Sequence, residues 1–189
     1  MKRLLAYLFI VLGLGLVVNV KAEDIRDFQI EGISIGDSAL DLFSKKEINE
    51  YFSVPTNLKN SSYTQSCFNN YGDTYDRICV AYNKSSSKKT IEGIQAQIRF
   101  EKDVMSICRK KQYEVDNDLS LIFKNLERKD WGRLPLKGLK DLDPNAYYYP
   151  ITYDFIDKSR SQIGCYSIQS LSTLKIAVYN LKFGLVLRD

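Results

Sequence analysis

YTQSCFNNYGDTYDRICVAY, residues 63–82, holds two strand-like runs, Tyr63 to Phe68 and Tyr75 to Tyr82. Between them lies the turn-rich segment Asn69-Asn70-Tyr71-Gly72-Asp73. Runs of β-formers around such a turn read as a hairpin. Closing it with Phe68 opposite Ile78 sets Cys67 opposite Cys79. Of the four cysteines this leaves Cys108 and Cys165 to pair with each other across a much longer loop. The spacings contain no CxxC, so neither a thioredoxin-like redox motif nor a zinc ribbon is expected. The cysteines read as structural staples of a chain folded in an oxidising compartment.

Toward the N-terminus, Phe28 to Ile33 alternates as a short strand, and Gly36-Asp37 ends it. Two compact helices follow, with capping boxes at Ser38–Asp41 and, better formed, at Ser44–Glu47. Phe43 and Ile48 stand at the positions of a hydrophobic staple, and Pro55 closes the region. The exposed positions of this pair mix Asp41, Lys45, Lys46, Glu47 and Glu50, which suits water better than phosphate.

Toward the C-terminus, Thr90 to Phe100 reads as a strand with Ile94, Ala96, Ile98 and Phe100 on one face. One long helix is expected over 103–128, capped by Asp103. Its stripe is Val104, Cys108, Val115, Leu119, Ile122 and Leu126. Acids at its start and Lys124 and Arg128 at its end match the helix dipole. Residues 129–149 read as a loop, interrupted by Gly132, Pro135, Gly138 and Pro144. Strands are expected at 148–156, 162–169 and 174–183. The order predicts an α+β fold with a mostly antiparallel sheet, built from two three-stranded meanders plus an N-terminal strand. Two short helices and the long amphipathic helix should lie on one face.

IEGISIGDSALDLFSKKEI, YDRICVAYN, TIEGIQAQIRF and ICRKKQYEVDNDLSLIFKN together resemble a family of uncharacterised small exported proteins of AT-rich marine proteobacteria. The resemblance covers about two thirds of the chain after the leader, by diffuse pattern. It implies a recurring helix cysteine and late-strand cysteine, matching Cys108 and Cys165; Cys67 and Cys79 lie outside the pattern. It implies export and fold, and no activity.

Met1-Lys2-Arg3, the uncharged run LLAYLFIVLGLGLVV at 4–18, and Val20-Lys21-Ala22 form the three parts of a secretory signal. Residues 1–22 are expected to be cleaved, leaving 23–189 as a single domain, periplasmic or secreted, with no permanent membrane anchor. Most of the formal charge of +4 sits in that leader: Lys2, Arg3 and Lys21 face no acid there, so the remainder carries 24 bases against 23 acids. Nucleic acid is therefore not an expected partner.

Histidine is absent, which excludes Ser-His-Asp and Cys-His catalysis and every His-ligated zinc site. No cofactor or metal site is expected, because phosphate-loop and dinucleotide glycine motifs are missing. Serine-lysine spacings at Ser85–Lys88 and Ser172–Lys175 fall in a turn and a strand rather than at a helix start. Asp141 to Asn145 opens like a calcium loop but lacks its later ligands. The richest surface candidate is Trp131 with Tyr147, Tyr148 and Tyr149, whose rings and hydroxyls suit an envelope protein or a glycan. The expected function is a soluble, non-enzymatic envelope binding protein. The alternative is a hydrolase or carbohydrate-active enzyme using a carboxylate pair.

Overall fold

The computed structural model describes residues 24–53, 62–72, 74–100, 104–139 and 141–186. The leader, Pro55 and the Asp103 cap lie outside them. The segment expected to be one strand at 28–33 instead turns back on itself. Gln29–Ile30 (β1) pairs antiparallel with Ile33–Ser34 (β2) through Glu31-Gly32. Both turn residues have positive φ, 51° and 78°, as a tight two-residue hairpin of this hand requires.

Ala39–Leu42 (α1) and Lys45–Glu50 (α2) follow. The Ser44 box forms in full: Glu47 N–H donates to Ser44 Oγ, and Ser44 N–H donates to the Glu47 carboxylate. The Ser38 box does not, because the Ser38 hydroxyl donates to Lys88 O across the molecule. Phe43 and Ile48 are buried, and Phe43 stacks on Phe68 at 3.9 Å.

Eight further elements build and cover one antiparallel sheet: Phe52–Ser53 (β3), Tyr63–Asn69 (β4), Arg77–Asn83 (β5), Ile91–Phe100 (β6), Met105–Ile122 (α3), Glu127–Asp130 (β7), Leu134–Pro135 (β8) and Tyr147–Asp154 (β9). Arg160–Ile168 (β10), Leu171–Tyr179 (β11) and Leu181–Val186 (α4) complete the chain. The strand order is β3-β4-β5-β6-β11-β10-β9-β7, with β8 also on β9. Two meanders, β4-β5-β6 and β9-β10-β11, thus join through β6 and β11, giving the α+β architecture. The hairpin register places Phe68 opposite Ile78 and Cys67 opposite Cys79.

Alternation gives the sheet two unlike faces. The core face carries Phe68, Ile78, Val80, Ala96, Ile163 and Ile176, all buried. Each of these apart from the small Ala96 contributes roughly 1.5–3 kcal/mol through removal from water. The helix α3 covers β10 and β11 on that side, while β1, β2, α1 and α2 cover the other meander. The Cys108–Cys165 disulfide fastens α3 to β10 inside this core; Cys67–Cys79 lies on the opposite, open face. Two disulfides mark a chain that folds in an oxidising compartment. Among the described residues, no helix is long and apolar enough to cross a membrane.

The ends of two elements differ from expectation. The helix stops at Ile122 rather than 128, because Phe123 is buried among Phe28, Tyr153 and Phe155 at 5.2–5.6 Å between rings. Aromatic burial outweighs the helix propensity of the residues beyond. Released from the helix, 127–130 becomes the edge strand β7, so 129–149 is only in part a loop. The last strand starts at Leu171 and ends at Tyr179. Asn180 then caps α4 by accepting from Phe183 N–H, and Phe183 packs on the open face against Tyr63. Glycine at 93 makes the room: a Cβ there would lie 2.5 Å from the Phe183 ring.

Candidate functional site

The four aromatic residues singled out in the sequence are divided between the two faces. In β9, Tyr147 and Tyr149 share the core side with Ile151 and Tyr153, whereas Tyr148 and Thr152 point to the open side. Trp131 joins the open side, its Nε1–H donating to the Thr152 hydroxyl at 3.1 Å and its ring lying under Lys129 Nζ at 3.7 Å. Tyr148 stacks on Tyr166 of β10 at 5.1 Å.

On the core side, beyond the edge of the hydrophobic interior, a ladder of guanidinium groups and phenol rings runs to the surface. Arg133 lies over Tyr147 at 3.9 Å. Tyr147 meets Tyr149 edge-on at 5.8 Å. Arg109 of α3 then lies between Tyr149 and Tyr113, 4.4 and 4.5 Å from their rings. Tyr113 and Arg133 are exposed, and Tyr147, Tyr149 and Arg109 are half-buried. Cation–π contacts of this kind hold each side chain in one orientation, stabilising an exposed surface by about 0.5–1 kcal/mol per contact.

A buried polar side chain anchors that ladder. Gln112, fully buried, accepts from Arg109 Nη1 at 2.5 Å, and its amide donates to Tyr149 O at 2.6 Å and Ile163 O at 2.9 Å. One turn on, the buried Asp116 accepts both Arg128 N–H groups and the Tyr153 hydroxyl. Burial, and then the negative Asp116, push the Tyr153 phenol above its ordinary range. Hydrogen bonding to Asp116 raises the Arg128 guanidinium as well. Gln112 and Asp116 are polar and so stand outside the apolar stripe read from the sequence, yet both are buried. Spacing of four from Cys108 could have found them, since 108, 112 and 116 fall on one helix face. No signal in the linear sequence brought Arg109, Tyr113 and Arg133 together.

A cleft of about 430 Å³ opens at the other end of β9, bordered by Leu126, Glu127, Asp154, Ile156, Arg160 and Leu181. Glu127 and Asp154 are direct cross-strand neighbours there, the nearest approach to a carboxylate pair at this cleft. Arg160 engages both Asp154 oxygens, at 2.5 and 3.0 Å, so Asp154 is occupied by structure. Ser172 and Lys175 lie on opposite faces of β11, which separates the serine from its supposed base. Asp143 accepts from the N–H groups of Asn145 and Gln169 and so ties two turns together.

The ladder thus brings aromatic area, fixed charge and exposure together at one surface. No family model, curated protein or solved structure matches the chain.

Proposed function

We propose that this chain is an exported, non-enzymatic envelope protein that binds another envelope protein through the Arg133–Tyr147–Tyr149–Arg109–Tyr113 ladder. The observation that carries the reading is two guanidinium groups and three phenol rings pre-ordered in contact at a partly exposed surface. Tyrosine and arginine dominate interface hot spots because they combine large area with directional hydrogen bonds. Held in place before binding, they lose little conformational freedom on association. The leader-like 1–22, the two disulfides and the resemblance to small exported proteins support periplasmic or secreted residence. A partner that supplies acids and flat apolar groups fits this surface, and a nucleic acid does not.

The carboxylate-pair alternative is the weaker reading, because Arg160 already holds Asp154. The test is affinity capture from an envelope extract, with the mature protein and its Arg133→Ala/Tyr113→Ala variant as baits. The proposal expects a partner retained by the first and lost from the second, with the melting temperature nearly unchanged. Equal capture by both baits would overturn it.

A further inference from the structure

The open face of the sheet carries a group of cations that the ladder, on the other face, does not involve. Cross-strand register sets Arg77 of β5 opposite Gln97 of β6, and Gln97 opposite Lys175 of β11. Adjacent strands lie about 4.8 Å apart, so the Arg77 and Lys175 backbones are separated by roughly 10 Å with an amide side chain between them. Arg99 stands two residues along from Gln97 and therefore on the same face. Among the described residues, none of the three forms a salt bridge. Arg77 Nε is buried without a hydrogen-bond partner. The nearby Asp76 carboxylate accepts from the Arg99 backbone N–H instead. Lys175 Nζ rests 4.4 Å over the Tyr166 ring, whose hydroxyl accepts from Gln162. Burial and mutual repulsion lower both Arg77, facing Arg99, and Lys175, facing Arg77, from their ordinary values. Like charges on neighbouring strands of one face, with Arg77 and Lys175 half-buried, Arg99 exposed and none in a salt bridge, cost stability unless an anion joins them.

We propose that Arg77, Arg99 and Lys175 form an anion site on the open face that takes the phosphoryl group of a soluble phosphorylated sugar. Charge and oxygen count select the ligand. A phosphate monoester carries nearly two negative charges and three acceptor oxygens, one for each cation. A carboxylate has one charge and two oxygens and leaves a cation unmatched. The surrounding Gln95, Gln97, Gln162 and Thr173 share this face and present amides and a hydroxyl, matching a body rich in hydroxyl groups. This assignment is independent of the protein-binding reading of the ladder.

The experiment is calorimetric titration and thermal shift of the mature protein with glucose 6-phosphate, inorganic phosphate, sulfate and acetate at matched ionic strength. A further arm uses vesicles containing phosphatidic acid. The site predicts saturable binding of glucose 6-phosphate, weaker binding of inorganic phosphate, and no response to acetate. Arg77→Gln and Lys175→Gln should each weaken binding tenfold or more, as should the exposed Arg99→Gln if either of those fails to fold. Lys129→Gln, on the same face but outside the group, should bind as wild type does. Equal responses to all anions, retained binding in Arg99→Gln, or binding to vesicles without binding to the sugar phosphate would overturn the proposal.

Discussion

Asp116 illustrates how a single buried acid organises this molecule. It accepts from Arg128 and Tyr153 while only 5% exposed, and the Arg128 head is wet enough to rehydrate when released. Asp116→Ala should therefore cost about 2–3 kcal/mol, from the lost charge-assisted bonds to Arg128 and Tyr153, while the phenol keeps the Asp116 backbone oxygen at 3.1 Å; urea unfolding measures it. Tyr153 also sets an alkaline limit. Its folded-state value is raised, so its contribution is complete below the ordinary tyrosine value near 10. Above that, the unfolded chain ionises first, and stability falls until the folded phenol ionises too. Tyr63, pushed up to about 12 by burial and then Glu92, acts in the same direction. Melting curves between pH 10 and 12 should fall more steeply for wild type than for Tyr153→Phe; parallel curves would contradict this. Gln112→Ala should destabilise by about 2 kcal/mol and also loosen Arg109, whose guanidinium it holds. At this scale the sequence was least legible. Hydrophobic patterning locates apolar faces, and a buried glutamine or aspartate looks outward until its tertiary partners are known.

At the scale of elements, the hairpin register, the Ser44 capping box and both cysteine pairs were legible, because each rests on local spacing or on simple pairing. The helix end at Ile122 and the strand β7 were not. Whether 123–130 continues a helix depends on Phe123 finding Phe28 and Phe155, contacts made by residues far away in the chain. The candidate site suffered the same way: Tyr147 to Tyr149 were visible as a cluster, but strand alternation sends the middle ring to the other face. The two staples should differ in worth. Cys108–Cys165 spans 57 residues and joins helix to sheet, whereas Cys67–Cys79 spans 12 between strands already paired. In the chain-entropy model they contribute about 4 and about 3 kcal/mol. Cys108→Ala/Cys165→Ala should lower the denaturation midpoint more than Cys67→Ala/Cys79→Ala; the reverse order would show that the α3–sheet junction holds without its disulfide.

For the whole molecule, the nearly neutral balance beyond residue 22 leaves little long-range steering, so the proposed recognition would depend on local surfaces on its two unlike faces. The sheet edges oppose growth by strand addition: β3 is two residues long, and β7 reads Glu127-Arg128-Lys129-Asp130, charged throughout. Partners are therefore expected to meet side chains rather than a free edge. If the leader reading holds, mass spectrometry of protein recovered from the envelope should find Glu23 as the first residue; a chain beginning at Met1 would mean a retained segment. Hydroxyl-radical footprinting of the protein alone and in its captured envelope complex tests the proposed recognition through the ladder. Protection of Tyr113, Tyr147 and Tyr149, with Trp131 on the opposite face unchanged, is the expected result. Protection of Trp131 and Tyr148 with an unaltered ladder would contradict it.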